Sequence, residues 1–164
     1  PVVVDIAKQH FNNLKESAAD IRYFVGDARI TLREMPKTHY DMLVMDAFSS
    51  GAIPTHLLTF EAIHELLEIL KTDGVILYHI SSRYLNLLPV LECNAQKLGL
   101  FIRINENPPI KASLKLSAKW VALTKSKRKL NMLLKDDPNW KIPTDDEICW
   151  TDESSNIWSI ISRL

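Results

Sequence analysis

Two short apolar runs, each nearly continuous and each followed by polar residues, constrain the fold of this chain more than any other feature. They cover residues 41–47 (DMLVMDA) and 75–80 (VILYHI). Runs of this length without alternation are typical of strands buried on both faces, as in a parallel sheet. Between them, residues 60–70 place apolar side chains along one helical face, behind Thr59 as a helix cap. The order strand, helix, strand predicts an α/β fold.

The remaining elements follow the same alternation until the last two strands. We predict helices over residues 2–16, 28–35 and 86–98, and strands over 21–25, 100–104 and 120–124. Gly74 and Gly99 are expected to end the helices before them in the left-handed conformation. The last two strands have no clear helix between them, which predicts an antiparallel pair at the edge of the sheet.

Composition excludes several classes of partner. The 20 basic residues balance 20 acidic ones, so no overall field attracts nucleic acid or anionic lipid. The basic run 125–129 is short and without aromatic residues, which favours a solvated surface. No apolar run is long enough to cross a bilayer. Cys93 and Cys149 form no metal or disulfide framework, which predicts two reduced thiols in a cytoplasmic protein. The late tryptophans are expected to be packing anchors.

Polar residues follow three of the predicted strands, where an open α/β sheet binds its ligands. Asp27 follows the first, Asp46 the second, and His79 begins a His/Ser/Arg cluster at the end of the third. Carboxylates there suit ribose hydroxyls, an adenine amino group or an amine. Simpler roles stay open: Asp27 as a helix cap, Asp46 as a turn former, and His79 as a hydrogen-bonded strand residue. The pair Ser81 and Ser82 can simply start a loop or cap a helix.

Six segments of the chain together resemble the spermidine synthase family, and most closely its bacterial spermidine synthase-like members. Five of them lie within residues 1–125 and the sixth near the end of the chain. They are residues 25–29 (VGDAR), 40–50 (YDMLVMDAFSS), 53–59 (IPTHLLT), 70–75 (LKTDGV), 79–84 (HISSRY) and 150–156 (WTDESSN). The resemblance implies a Rossmann-like fold of the S-adenosylmethionine-dependent methyltransferase kind.

The resemblance also implies a reaction and a set of site residues. The family transfers an aminopropyl group from decarboxylated S-adenosylmethionine to putrescine and releases methylthioadenosine, without a metal. Asp27 matches the aspartate that holds the adenine amino group, and Ala28 follows it in the same turn. Asp46 matches the acid beside the reacting groups. The family's proton-accepting aspartate, three residues later, is replaced here by Ser49, which with Asp46 makes the predicted catalytic pair.

The family's glycine-rich loop has no counterpart in this sequence. Only four glycines are present and none forms a G-x-G pattern. We therefore expect the chain to lack two early strands and the co-substrate loop. Their absence would leave two unpaired strand edges and exposed apolar helix faces, for another segment or the second subunit of a homodimer to cover. Residues 1–125 are expected to be the C-terminal portion of the nucleotide-binding domain, with 126–164 as an extension packed on it.

The predicted function is aminopropyl transfer from decarboxylated S-adenosylmethionine to a polyamine by a spermidine synthase-like protein in its full length. Two alternatives stay open, because a fold alone does not determine a reaction. One is an S-adenosylmethionine-dependent methyltransferase. The other is a non-catalytic domain that binds a nucleoside or a partner protein. No nucleic acid and no membrane partner is predicted for this chain.

Overall fold

The computed structural model describes residues 2–48, 53–82, 84–108, 117–137, 139–144 and 148–161. These residues form two compact units, Pro1–Glu34 and Met35–Leu164. The boundary that the sequence predicts at residue 125 stays a prediction. No helix in the described ranges is both long enough and apolar enough to cross a membrane.

The first unit is helical. It contains α1 (Val2–His10), α2 (Asn12–Lys15) and α3 (Ala28–Arg33). The single helix predicted over 2–16 is wrong in one respect, because the extended backbone of Phe11 separates α1 from α2. The strand predicted over 21–25 is also wrong: these residues form no strand, and Phe24 and Val25 are exposed. A β-rich run becomes a strand only when a neighbouring strand accepts its hydrogen bonds.

The second unit is built on a five-stranded sheet. Its strands are β1 (Tyr40–Met45), β2 (Leu70–His79), β3 (Phe101–Asn107), β4 (Ala118–Thr124) and β5 (Trp140–Lys141). Their spatial order is β1-β2-β4-β3-β5, with β1 parallel to β2 and with β4 antiparallel to both of its neighbours. The antiparallel pairing of the last two long strands is confirmed. Its edge position is wrong, because β4 lies inside the sheet and β5 covers β3.

Three helices pack on this sheet: α4 (Phe60–Ile69), α5 (Leu88–Lys97) and α6 (Lys127–Asp136). Thr59 caps α4 as predicted, since its hydroxyl accepts the N–H of Ala62 at 3.2 Å. The hydroxyl of Thr59 also donates to Asp152 at 2.7 Å, which ties the C-terminal motif to the start of α4. Gly99 has φ +64° and closes α5 as expected.

Gly74 has a different role from the one predicted. Helix α4 passes directly into β2 at Leu70, and Gly74 lies inside that strand without a positive φ. A Cβ atom at this position would lie 2.9 Å from Leu70 Cδ2 and 3.0 Å from the carbonyl oxygen of Lys71. Gly74 is therefore required because the backbone folds back closely on itself, in the bulge that puts residues 71–74 opposite one residue of β1.

Strand β1 is buried on one face only, although the sequence predicts two buried faces. Leu43 and Met45 are buried, whereas Met42 and Val44 are 47% and 54% exposed. Among the described strands, β1 pairs only with β2 and so lies at the edge of the sheet. Strand β2 has the strongly buried character expected, since Val75, Ile76 and Tyr78 are fully buried.

The two cysteines form a disulfide, so the prediction of reduced thiols is wrong. Cys93 on α5 and Cys149 in the C-terminal segment have Cα atoms 5.3 Å apart, within the normal range for a disulfide. The two cysteines are 56 residues apart in sequence, so their spacing did not predict the pairing. They meet because the C-terminal segment returns to α5. Disulfides are more typical of oxidising compartments. The cytoplasmic location therefore stays a prediction with one observation against it.

The C-terminal segment is held to α5 by more than the disulfide. The buried amide of Asn94 donates to the carbonyl oxygens of Leu58 and Trp150, at 2.9 and 3.2 Å. Trp150 is 1% exposed and is the packing anchor expected of it. Trp158 is 81% exposed, so the same expectation is wrong there. The segment is therefore fixed by the disulfide, by the hydrogen bonds of Asp152 and of the Trp150 backbone, and by the buried Trp150 ring.

Reduction of the disulfide should destabilise the second unit. A cross-link that closes a loop of this length is worth about 4 kcal/mol by the chain-entropy model. We expect the variant Cys93→Ser/Cys149→Ser to lose roughly 2–4 kcal/mol in the free energy of unfolding, measured by urea titration without reductant. Two thiols that react with Ellman's reagent in the unreduced, unfolded wild-type protein would contradict the pairing.

Candidate functional site

The carboxyl ends of β1 and β2 bring the polar residues of this edge together. Because the strands are parallel, with Met45 opposite Tyr78, the next residues, Asp46 and His79, lie side by side. Asp46 Oδ1 lies 2.7 Å from His79 Nδ1. The Asp46 side chain is 66% exposed and the His79 side chain is 28% exposed. The predicted polar rim exists for these two strands, and it includes a direct carboxylate–imidazole contact.

The contact continues from His79 to Ser81. Ser81 Oγ lies 2.8 Å from His79 Nε2, on the side of the ring opposite Asp46. A carboxylate only accepts hydrogen bonds, so Nδ1 carries the proton that it shares with Asp46. In the neutral imidazole Nε2 is then an acceptor, and the Ser81 hydroxyl donates to it. The three side chains form one directed chain from hydroxyl to imidazole to carboxylate.

The sheet holds the His79 ring in place. His79 lies opposite Trp120 on the antiparallel neighbour β4, and their rings stack with centroids 4.5 Å apart and planes 19° apart. The N–H of Lys119 donates to Ser81 Oγ at 2.8 Å, and the N–H of Ile80 donates to the Lys119 carbonyl oxygen at 2.9 Å. These backbone contacts extend the β2–β4 pairing past the end of β2. Ser81 is therefore fixed by the sheet.

Buried aromatic residues on the opposite face of the sheet hold in place the backbone next to His79 and Asp46. Tyr78 is fully buried, and its hydroxyl donates to the carbonyl oxygen of Leu57 at 3.3 Å. Burial raises the pKa of Tyr78 well above its ordinary value, so the phenol stays neutral. Phe48, 4% exposed, packs on this ring with centroids 5.9 Å apart. Asp46 thus lies between a strand end and a buried aromatic anchor.

Asp27 and Ala28 belong to the first unit. Asp27 is the N-cap of α3, since its Oδ1 accepts the N–H groups of Arg29 and Ile30 at 2.9 and 3.2 Å. The simpler of the two roles open for Asp27 is therefore present. Ala28 is the first residue of α3. Their contact with an adenine group stays a prediction, and Ser49 lies outside the described residues.

Sequence reasoning identified His79 and Ser81 at a strand end, but it favoured structural roles for both and missed their link to Asp46. Part of this arrangement, the common direction of His79 and Ser81, was predictable from the sequence. Side chains two residues apart on a strand lie on the same face, so the strand pattern predicts that the side chains of His79 and Ser81 point in the same direction. Trp120 was missed as a site residue, because its pairing with His79 depends on the register of β4 against β2.

The arrangement can move a proton. A hydroxyl, an imidazole and a carboxylate in sequence accept a proton at one end and stabilise the positive charge that appears on the ring. Among the residues that the structure describes, no three histidine, cysteine or acidic side chains cluster as they would around a metal ion.

Comparison with known proteins links the sequence to two kinds of transferase. No protein-family model matches the chain. A stretch of 78 residues is 33% identical to the polyamine aminopropyltransferase of Vibrio vulnificus and covers 46% of this chain and 25% of that protein. A stretch of 79 residues is 42% identical to the N-terminal histidine N-methyltransferase of Emericella nidulans and covers 46% and 14%. The chain thus spans a quarter or less of these relatives.

Among solved structures, the chain is similar to a spermidine synthase in complex with the transition state analogue AdoDATO. The TM-score is 0.56 at 14% identity, over 93% of this chain and 52% of that one. At this identity the likeness shows the fold alone. It confirms the predicted Rossmann-like fold of the methyltransferase kind. The aminopropyltransferase match and this fold together confirm the resemblance to spermidine synthases, and the chain spans about half of the structure that it matches.

Proposed function

We propose that this spermidine synthase-like chain is part of an aminopropyltransferase. The whole protein would transfer the aminopropyl group of decarboxylated S-adenosylmethionine to a polyamine and release methylthioadenosine. The observation that carries this proposal is the contact of Asp46 with His79 at the carboxyl ends of two parallel strands. Similarity in sequence to a polyamine aminopropyltransferase supports the choice of reaction.

The charges at this edge suit both substrates. A sulfonium co-substrate and a protonated polyamine are both cations, and an exposed carboxylate attracts them. Asp46 is more than half exposed, so one ammonium group can reach its carboxylate. The attacking amine must also lose a proton before its lone pair can react, and a carboxylate–imidazole pair can accept that proton. Asp46 therefore supplies the negative charge that attracts the polyamine to this edge and that stabilises the positive charge on His79 once the ring accepts the proton.

Asp27 and Ala28 are proposed to hold the nucleoside end of the co-substrate. A carboxylate oxygen of Asp27 would accept a hydrogen bond from the adenine amino group. Ala28 would contact the base from the same turn. The support is the family motif that surrounds Asp27 and its fixed position at the start of α3. Oδ1 already accepts two backbone N–H groups, which orients the carboxylate rigidly.

A methyltransferase is the second candidate, favoured by the 42% identity to a histidine N-methyltransferase over part of the chain. Both reactions use a sulfonium of the same nucleoside, and they differ in the group that leaves the sulfur. Their products differ as well: methylthioadenosine for aminopropyl transfer and S-adenosylhomocysteine for methyl transfer. A protein that binds either nucleoside without turnover would be the non-catalytic alternative.

The reaction is tested by product analysis on the protein in its full native length. Incubation with decarboxylated S-adenosylmethionine and putrescine should give methylthioadenosine and spermidine, detected by mass spectrometry. Asp46→Asn should lower kcat by about 100-fold or more, because the negative charge that stabilises a protonated His79 is lost. Asp41→Asn, on the same strand but paired with Lys71 at 2.9 Å, is the matched control and should keep wild-type activity. S-adenosylhomocysteine as the product from S-adenosylmethionine would favour the methyltransferase instead.

The role of Asp27 is tested by two substitutions that separate the cap from the ligand contact. Asp27→Ala removes the cap and should cost about 1 kcal/mol of stability as well as the binding of methylthioadenosine. Asp27→Asn keeps a capping oxygen, but it replaces the second oxygen with an amide NH2 group. This NH2 group is a donor and cannot accept a hydrogen bond from the adenine amino group. We expect Asp27→Asn to bind methylthioadenosine at least about tenfold more weakly in calorimetric titration. Unchanged affinity in Asp27→Asn would mean that this residue is only a cap.

A further inference from the structure

We infer that Asp46, His79 and Ser81 form a proton relay that takes the proton lost by the attacking amine. This inference rests on the proposed aminopropyl transfer and names the residues that perform one of its steps. His79 is the acceptor, Ser81 is the entry point, and Asp46 fixes and stabilises the acceptor. In the family that the sequence resembles, an aspartate at position 49 has this task, and here that position holds serine.

The direction of the relay follows from the two hydrogen bonds of the ring. Asp46 binds Nδ1 at 2.7 Å and therefore keeps the proton on that nitrogen. Nε2 is left with its lone pair directed at Ser81 Oγ, 2.8 Å away. An imidazole held in this tautomer accepts a proton only at Nε2, which is the side on which Ser81 lies.

Among the described residues, one N–H group donates to Ser81 Oγ, which leaves this oxygen able to accept one more hydrogen bond, as an entry point needs. A hydroxyl oxygen accepts two hydrogen bonds, and the N–H of Lys119 uses one of them. The hydroxyl proton is given to His79. The second lone pair of Oγ can therefore accept an N–H of an amine at the edge of the sheet. Ser81 is half-buried.

Two contacts lie against the His79 ring, where the positive charge of the step appears. The Asp46 carboxylate lies at hydrogen-bond distance on one edge of the ring. Trp120 covers one face of it at a centroid distance of 4.5 Å, and the face of an indole attracts a cation. Both contacts exist before any proton moves, so no rearrangement is required to stabilise the imidazolium.

The amine nitrogen uses its lone pair to form a bond to the aminopropyl carbon, and the bond from that carbon to the sulfonium sulfur breaks. The electron pair of the broken bond stays on sulfur, which gives neutral methylthioadenosine. The proton of the amine passes to Ser81 Oγ as the hydroxyl proton of Ser81 passes to His79 Nε2. The imidazolium then returns its proton to water through the reverse path.

The test compares matched pairs of variants of the full-length protein in the methylthioadenosine assay. His79→Gln removes the acceptor, and His64→Gln makes the same change at an exposed position of α4. Ser81→Ala removes the entry point, and Ser82→Ala removes the neighbouring hydroxyl, which accepts the N–H of Leu85 instead of contacting His79. Thermal unfolding of each variant checks that the fold is intact.

We expect kcat to fall by about 100-fold or more in His79→Gln and by at least about tenfold in Ser81→Ala. KM for putrescine should change by less than about threefold in both, because proton acceptance belongs to the transition state. The two control variants should keep wild-type kcat. His79→Ala should be partly rescued by added imidazole, which a merely structural histidine would not show.

Two different failures can be told apart. If the wild-type protein forms methylthioadenosine and His79→Gln retains its kcat, the relay is overturned and the proposed function stands. If the wild-type protein forms no methylthioadenosine, the proposed function fails and the relay fails with it. A loss in His79→Gln that appears only in KM would assign His79 to amine binding and would also overturn the relay.

Discussion

The parallel pairing of β1 with β2 is the constraint on which the rest of this structure depends. Its register sets Met45 opposite Tyr78, and so puts Asp46 beside His79. A shift of one residue would turn both side chains to the other face, where Tyr78 and Met45 are buried. The buried face thus fixes the register, and the register creates the polar contact. Packing and chemistry are set by the same hydrogen-bond ladder.

The antiparallel strand β4 adds the second half of the arrangement. It supplies Trp120 against the imidazole ring and the backbone N–H of Lys119 against Ser81. Behind the sheet, the C-terminal segment is joined to α5 by the disulfide between Cys93 and Cys149. Each of these contacts joins residues that are far apart in sequence. The site is therefore a product of the folded sheet, and no single segment of the chain carries it.

Sequence patterns predicted the parts of this molecule that depend on local physics. The cap at Thr59 and the left-handed Gly99 depend on neighbours in the chain, and both predictions are confirmed. The errors arose where a distant segment decides the outcome. The run at 21–25 has no pairing strand among the described residues. The need for glycine at position 74 arises from the close approach of Leu70. The Asp46–His79 contact needed the strand register, which the sequence alone does not reveal.

The central claim is that Asp46 and His79 act as one unit in proton acceptance, and a double-mutant cycle on kcat tests it most directly. Wild type, Asp46→Asn, His79→Gln and the double variant would be compared in single-turnover aminopropyl transfer. Residues that act as a unit give strongly non-additive losses. The account predicts that the double variant is no more than about threefold slower than the slower single variant. Losses that multiply would show that the two residues act independently, and would contradict it.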